Sequence, residues 1–326
     1  MCENNSLNLE DLAQQCKINR TQDSSEAILL IRSLCSNYTE TEQADIYNYF
    51  FDICRDYQVI LHILKEINKL KSKSSVPILV DTLVMKEKFK DRIKDDDART
   101  QIRVMVTKVL ANMKDTAAVY PLLYCLNNKD DNYKIRLSAA EALGKIGDKY
   151  AVTPLVDLLN DEEESSIYVK ESAAFALGMI GDMKAVDPLV SILETKKGIM
   201  DKFTFLKERA IEALNKINFR NDRVFKALKN SLMDESSQIR INAIEALMNT
   251  DDERVVPLLK TMLNDEEREV VKNAVIALYN LEGDEIINEI LNNNESSEFA
   301  KLEANALSEE LDSDCEDDED YEENDD

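Results

Sequence analysis

All five prolines of the chain, Pro77, Pro121, Pro154, Pro188 and Pro257, stand in copies of one phrase, close to the form apolar-x-Pro-apolar-apolar, and a second phrase rich in alanine and leucine follows each. Self-similarity of this kind fixes the class of fold before any single residue is weighed, because one repeat cannot bury its apolar face alone and must stack on the next.

The two clearest copies read in full. Val119, Pro121, Leu122 and Leu123 are followed by Arg136, Ala139, Ala140, Ala142, Leu143, Gly144, Ile146, Gly147 and Asp148. Val152, Pro154, Leu155 and Val156 are followed by Lys170, Ala173, Ala174, Ala176, Leu177, Gly178, Ile180, Gly181 and Asp182. Further copies begin at Val186, at Val224 with Lys226 in the proline slot, and at Val255; their second halves centre on Ala213-Leu214, Ala246-Leu247 and Ala277-Leu278. Most steps are about 31 to 38 residues, the length of a two-helix repeat.

In the first half of a copy, apolar residues recur three and four apart, as at Val152, Leu155, Val156 and Leu159, which is the stripe of a half-buried helix. In the second half, Ile135, Ala139, Ala142, Leu143 and Ile146 form another, with alanines that let helices approach closely. Gly147-Asp148 and Gly181-Asp182 end one helix and offer a cap to the next. The prolines fall near the start of the first helix, where a missing donor costs least.

These phrases resemble the HEAT-like repeat, in the short variety found in phycobilin lyases and in many prokaryotic proteins. The resemblance is close over 119–185, looser elsewhere, and covers residues 76–286. It implies an all-α fold, a right-handed α-solenoid (superhelix) of about six to seven helix pairs. The expected organisation is a helical N-terminal cap over 1–75, with helices at Ser25–Asn37, Thr41–Tyr57 and Gln58–Lys71, then the repeats over 76–311. Residues 312–326 are expected to form a disordered acidic tail, since Glu309–Asp326 holds 13 acidic residues and no Lys or Arg.

The net charge of -25 disfavours nucleic acid or an anionic membrane as the main partner and favours a protein carrying a basic segment. Without the tail the remainder still carries -12. An N-terminal leader and a membrane-spanning run are both lacking, so a cytoplasmic location is expected. Six scattered cysteines without a C-x-x-C pair, beside the single His62, argue against a metal site. No cofactor is expected.

The resemblance brings enzymes to mind, and the residues test them. HEAT-like deoxyhypusine hydroxylases hold iron through His-Glu pairs, but Ile63 follows His62 here. HEAT-like DNA glycosylases need a basic face with aromatic residues, and this acidic chain has no Trp. A phycobilin-lyase-like subunit is the closer alternative, although no motif demands a bilin. The main expectation is a non-catalytic protein-binding scaffold. Its binding face is sought where one repeat departs from its siblings. Aligned with Glu141 on the second helices stand Lys108, Phe175, Glu212, Glu245 and Ile276; Phe175 is joined one turn on by Met179, and Ile276 by Tyr279. These apolar pairs, rimmed by acids, form the candidate partner site together with Met200 and Phe203 in a long connection at Thr195–Phe205. Ordinary packing between repeats is the competing reading of Phe175 and Met179. A second long connection is expected at Lys86–Thr100, and Glu162, Glu163 and Glu164 are read as solvated turn charges.

Overall fold

Each repeated phrase becomes a helical hairpin for local reasons. Gly147 and Gly181 end their helices in the left-handed region, at φ 78° and 71°, where a Cβ is strained. In the first copy Lys114 takes the same conformation at φ 52°. The aspartate that follows then caps a short 3-10 turn: Asp115 accepts from the Ala117 amide and Asp148 from the Tyr150 amide, each at 2.9 Å. Pro121, Pro154, Pro188 and Pro257 lie at the third position of the helices that follow, within the first turn, whose amides have no intrahelical acceptor.

The computed structural model describes residues 7–21, 23–84, 86–194 and 204–319, the side chains of 86–88 and 312–319 excepted. The described residues form nineteen helices and no strand. They divide into two compact units, residues 1–182 and 183–326. The first unit opens with α1 (Leu9–Gln15), α2 (Ser24–Cys35), α3 (Glu40–Ile53) and α4 (Tyr57–Leu70). Next come α5 (Val76–Val84), α6 (Lys86–Arg92) and α7 (Asp96–Met113), then the hairpins of α8 (Val119–Asn127) with α9 (Tyr133–Ile146) and of α10 (Val152–Asn160) with α11 (Ile167–Ile180). Helices α4, α7, α9 and α11 pack side by side in that order.

The second unit holds four hairpins: α12 (Val186–Glu194) with α13 (Thr204–Ile217), α14 (Asp222–Ser231) with α15 (Ser237–Met248), α16 (Val255–Met262) with α17 (Arg268–Glu282), and α18 (Asp284–Asn292) with α19 (Glu298–Glu319). Here α13, α15, α17 and α19 pack side by side in that order. The chain is thus all-α, a stack of repeated helical hairpins within each unit, as its period requires. The backbone of α19 runs into the acidic segment as far as Glu319, while 320–326 lie outside the described residues.

Two readings need correction. The connection expected at Lys86–Thr100 contains α6 and the first turn of α7. Phe89 and Ile93, four apart, are buried, and the Arg92 guanidinium lies 5.8 Å from the Phe51 ring centroid and 5.4 Å from that of Phe89. Arg92 also donates to the carbonyls of Phe51 and Cys54, so this segment is fastened to the N-terminal helices. Second, Glu164 is no solvated turn charge: it is buried, and both its oxygens accept from the Arg136 guanidinium.

That ion pair is one rung of a ladder. The basic residue at the register of Arg136, three positions before Ala139 and its equivalents (Val106 in α7), reaches the acid that precedes the second helix of the next hairpin. Arg103 meets Asp131, Arg136 meets Glu164, Lys207 meets Asp234 at 2.8 Å, and Arg240 meets Asp265 at 2.8 Å. Each acid also accepts from a backbone amide at the start of its own hairpin's second helix, at Asn132, Ser166, Ser236 and Glu267 respectively. Each buried carboxylate is thus held by both a cation and an amide, which favours a buried pair, although Nε of Arg103 and of Arg240 is buried without a partner among the described residues.

Candidate functional site

The row of α4, α7, α9 and α11 in the first unit carries a groove of about 810 Å³, lined by residues of all four helices. Its shape follows from the repeat. Helices equivalent in the repeat present equivalent positions side by side, so one register position per helix makes one row across the groove. The row just after the ladder position reads Leu61, Val104 and Leu137, all half-buried, with Met105 beside Val104. The row one turn earlier contains Tyr57, Thr100 and Tyr133, and Tyr168 stands next to it on α11. The Tyr133 and Tyr168 rings lie 6.3 Å apart between centroids, tilted by 35°. An aliphatic floor is thus bordered on one side by tyrosines.

The polar lining is balanced in charge: Asp97 and Lys108 come from α7, Lys134 and Glu141 from α9. None of these four side chains makes an ion pair or hydrogen bond among the described residues. The amides are arranged asymmetrically. Gln101 accepts from the Tyr57 hydroxyl through Oε1, and Asn132 accepts from the Lys134 amide through Oδ1 at 3.0 Å. Each carbonyl oxygen accepts one hydrogen bond at the protein surface, and the NH2 groups have no acceptor among the described residues. Ser138 is occupied by Thr107, 2.5 Å away. Farther along α9, a Cβ on Gly144 would stand 2.7 Å from the Ala176 Cα, so α9 and α11 approach at backbone distance.

Expected and observed positions overlap in part. Glu141 and Lys108, read as facing away from the core stripe, line the groove. Phe175 and Met179 lie on α11, Phe175 half-buried and Met179 exposed, but neither lines it. Glu212, Glu245, Ile276 and Tyr279 are on α13, α15 and α17 of the second unit, and Glu212 is bound to Arg209 at 2.7 Å. Met200 and Phe203 lie outside the described residues. The aliphatic row Leu61, Val104 and Leu137 was not singled out from the sequence, nor were Tyr57, Tyr133 and Tyr168.

The buried thiols offer no reactive alternative. Burial pushes Cys16 up to about 12 and Cys54 up to about 11, and Cys35 is raised by the same cause. Among the described residues no group of three or more His, Cys, Asp and Glu could hold a metal ion, and no helix is long and apolar enough to cross a membrane.

Comparison with known proteins agrees with the architecture. A family model described as HEAT repeats matches residues 86–167 and 199–279, together half of the chain, and one described as PBS lyase HEAT-like repeat matches 169–195. No curated protein matches the sequence as a relative. Among solved structures, Kap121p bound to Pho4p is 14% identical with a TM-score of 0.51, over 91% of this chain and 36% of that one. Kap121p bound to the extreme C-terminus of the protein phosphatase Cdc14p is 12% identical at 0.51, over 91% and 37%. The CpcE–CpcF complex of phycocyanin lyase from Nostoc sp. PCC7120 is 20% identical at 0.45, over 72% and 93%. At these identities the likeness is one of fold, and this chain spans little more than a third of Kap121p.

Proposed function

This chain belongs to the HEAT-repeat family, and from that premise we propose that it is a non-catalytic scaffold that holds a partner polypeptide in the groove on α4, α7, α9 and α11. The observation that carries the reading is the aliphatic row of Leu61, Val104 and Leu137, left half-open to solvent across three successive helices and bordered by tyrosines. Apolar side chains presented in this way are stabilised by an occupant that covers them, and tyrosine supplies contact area at low entropic cost. The groove lining offers no nucleophile hydrogen-bonded to a general base among the described residues, which supports binding rather than catalysis. Kap121p, whose fold is similar, is itself described in complex with Pho4p and with the C-terminus of Cdc14p.

Phe175 and Met179, farther along α11, extend the contact in this proposal, and the acidity of the chain favours a partner whose flanks are basic outside the neutral groove. Ile276 and Tyr279, with Glu212 and Glu245 in the same register, offer a secondary contact on the second unit.

The test is site-specific photo-crosslinking in the source cell. A benzophenone amino acid at Met105 in the groove is expected to trap one protein, whereas the same group at Tyr124, 53% exposed on α8, is expected to trap none. Leu137→Glu should abolish the Met105 adduct without unfolding the chain. Equal trapping from Tyr124, or trapping that survives Leu137→Glu, would remove the groove as the site.

A further inference from the structure

We infer that the first unit carries a second binding surface, a row of lysines where its hairpins join, and that the occupant is an acidic polypeptide segment of a partner protein. The inference stands apart from the groove, since none of these lysines lines it.

The row is made by the turns that join one hairpin to the next, at 69–75, 112–118 and 145–151. Every exposed charged residue in them is a lysine: Lys69, Lys71, Lys73, Lys114, Lys145 and Lys149. The acids of these turns face inward. Asp115 and Asp148 are half-buried, and each accepts from the amide two residues on, at 2.9 Å. Successive turns are neighbours: Asn112 donates to Asn68 at 2.9 Å, Lys73 lies 3.9 Å from Asp115, and the turn at Lys149–Ala151 packs on α8, which opens from the turn before it. A chain with a net charge of -25 thus presents a row of turns whose exposed charge is all positive.

Local structure accounts for only part of this row. Lys69 and Lys145 stand in last turns, where the helix dipole favours a cation. The other four are placed against local preference. Lys73 and Lys149 open the short 3-10 turns that lead into α5 and α10, the end of a helix where the dipole favours an acid. Lys71 and Lys114 end α4 and α7 in the left-handed region, at φ 50° and 52°, where the next two hairpins have Gly147 and Gly181. A Cβ is strained there, so glycine would suit the fold better and the lysine serves another end. Nor are the charges used up inside the protein: Lys73 and Lys149 lie 3.9 and 3.7 Å from Asp115 and Asp182 with their side chains 88% and 79% exposed, which leaves them open to a ligand.

The chemistry of the row selects the anion. It holds no arginine, the residue whose planar fork suits phosphate, and lysine is a point charge that meets a carboxylate from many directions. Nucleic acid, charged along its whole length, would also meet the excess negative charge of the chain. A short run of Asp and Glu meets the row alone. Tyr120 follows the second turn and Tyr150 lies in the third, 71% and 73% exposed, and both offer contact to apolar residues set among the acids. The chain's own acidic segment is the less fitting source, because eight of the 13 acids of Glu309–Asp326 fall within α19.

The experiment is fluorescence anisotropy of the full chain with three labelled probes of equal length: repeats of Glu-Glu-Phe, repeats of Gln-Gln-Phe, and oligothymidylate. The Glu-Glu-Phe peptide is expected to bind about tenfold or more tighter than the other two, and to weaken as salt is raised. Lys71→Gly and Lys114→Gly give these turns the residue of their siblings, so neither threatens the fold. Each is expected to weaken that peptide about threefold, and the two together about tenfold, with a melting temperature unchanged or raised. Lys229→Gln, on α14 of the second unit, is expected to change nothing. Equal binding of the Gln-Gln-Phe peptide, tighter binding of oligothymidylate, or full affinity in the double variant overturns the inference. So does a gain of about tenfold when the chain is ended at Leu311, which would make its own acidic segment the occupant.

Discussion

Arg103 of α7 donates from both terminal nitrogens to Asp131, at 2.9 and 2.8 Å, although 28 positions separate the two residues. Its Nη2 also reaches the Leu83 carbonyl at 3.0 Å. One side chain thus ties the two helices of its own hairpin to the next hairpin. Asp131→Ala would leave the guanidinium buried without its counter-charge, a loss of about 3–5 kcal/mol. Chemical unfolding is expected to show that loss in Asp131→Ala, and to show it largely recovered when Arg103→Met is added, since an apolar replacement of both partners removes the stranded charge.

Glu164 provides the pH test of the same ladder. Burial raises its carboxyl, but the Arg136 hydrogen bonds, the Ser166 amide and the nearby positive charge outweigh burial and hold it below the ordinary value. A carboxylate lowered by folding contributes stability above its unfolded pKa of about 4.3 and loses it as pH falls through the folded value. The stability gap between wild type and Glu164→Gln should be constant at neutral pH and shrink below about pH 4.3. A gap that does not change down to full protonation would contradict the assignment.

Gly144→Ala is expected to destabilise the first unit by about 1–3 kcal/mol, because the added methyl meets backbone and cannot be relieved by turning a side chain. Gly147→Ala meets no neighbour within 4 Å, so its cost comes from the left-handed backbone, about 1 kcal/mol. Thermal melts of the two variants separate crowding from conformation: a crystal structure should show α9 displaced from α11 in the first and unmoved in the second.

His62 is buried, its Nε2 has no partner among the described residues, and its Nδ1 lies 3.9 Å from Glu66. Burial lowers its pKa. Glu66 opposes the shift, while Arg32, Lys69 and Lys65 add to it. The folded chain keeps the ring neutral when the unfolded chain would protonate it, so stability is lost as pH falls from about 6.5 toward the folded value. His62 is the single histidine of the chain. The unfolding midpoint should therefore fall between pH 7.5 and 5.5 in wild type and much less in His62→Leu.

The hairpins were legible in the sequence because their devices are local and repeated: Pro121 and Pro154 in first turns, Gly147 and Gly181 at left-handed ends, alanines where helices meet. Helix α6 was missed because its burial depends on Arg92 reaching residues 38 to 41 positions away, which no local pattern announces. Glu164 was misread for a similar reason, since its neighbours Glu162 and Glu163 are the solvated charges they seemed and only the fold brings Arg136 to it. The groove escaped notice for the opposite reason. Val104 and Leu137 look like ordinary members of an apolar stripe, and comparing repeats at the Glu141 register drew attention to Phe175 and Ile276 instead. A binding floor made of residues that conform to the pattern is found only when their half-burial is measured.

The ladder points one way along the chain. Every basic side chain in it reaches forward, to an acid belonging to the hairpin that follows. Shortening the protein from its two ends is therefore not symmetrical. A cut that removes the later hairpins strands a buried cation at the new end, whereas a cut that removes the earlier ones exposes a carboxylate that water can solvate. The joints at Asp131 and Glu164 share this grammar, so excising the hairpin of α8 and α9 would present Arg103 to Glu164 in place of Asp131. At those joints the chain could shorten by a whole hairpin, while its direction of growth is written into the pairs.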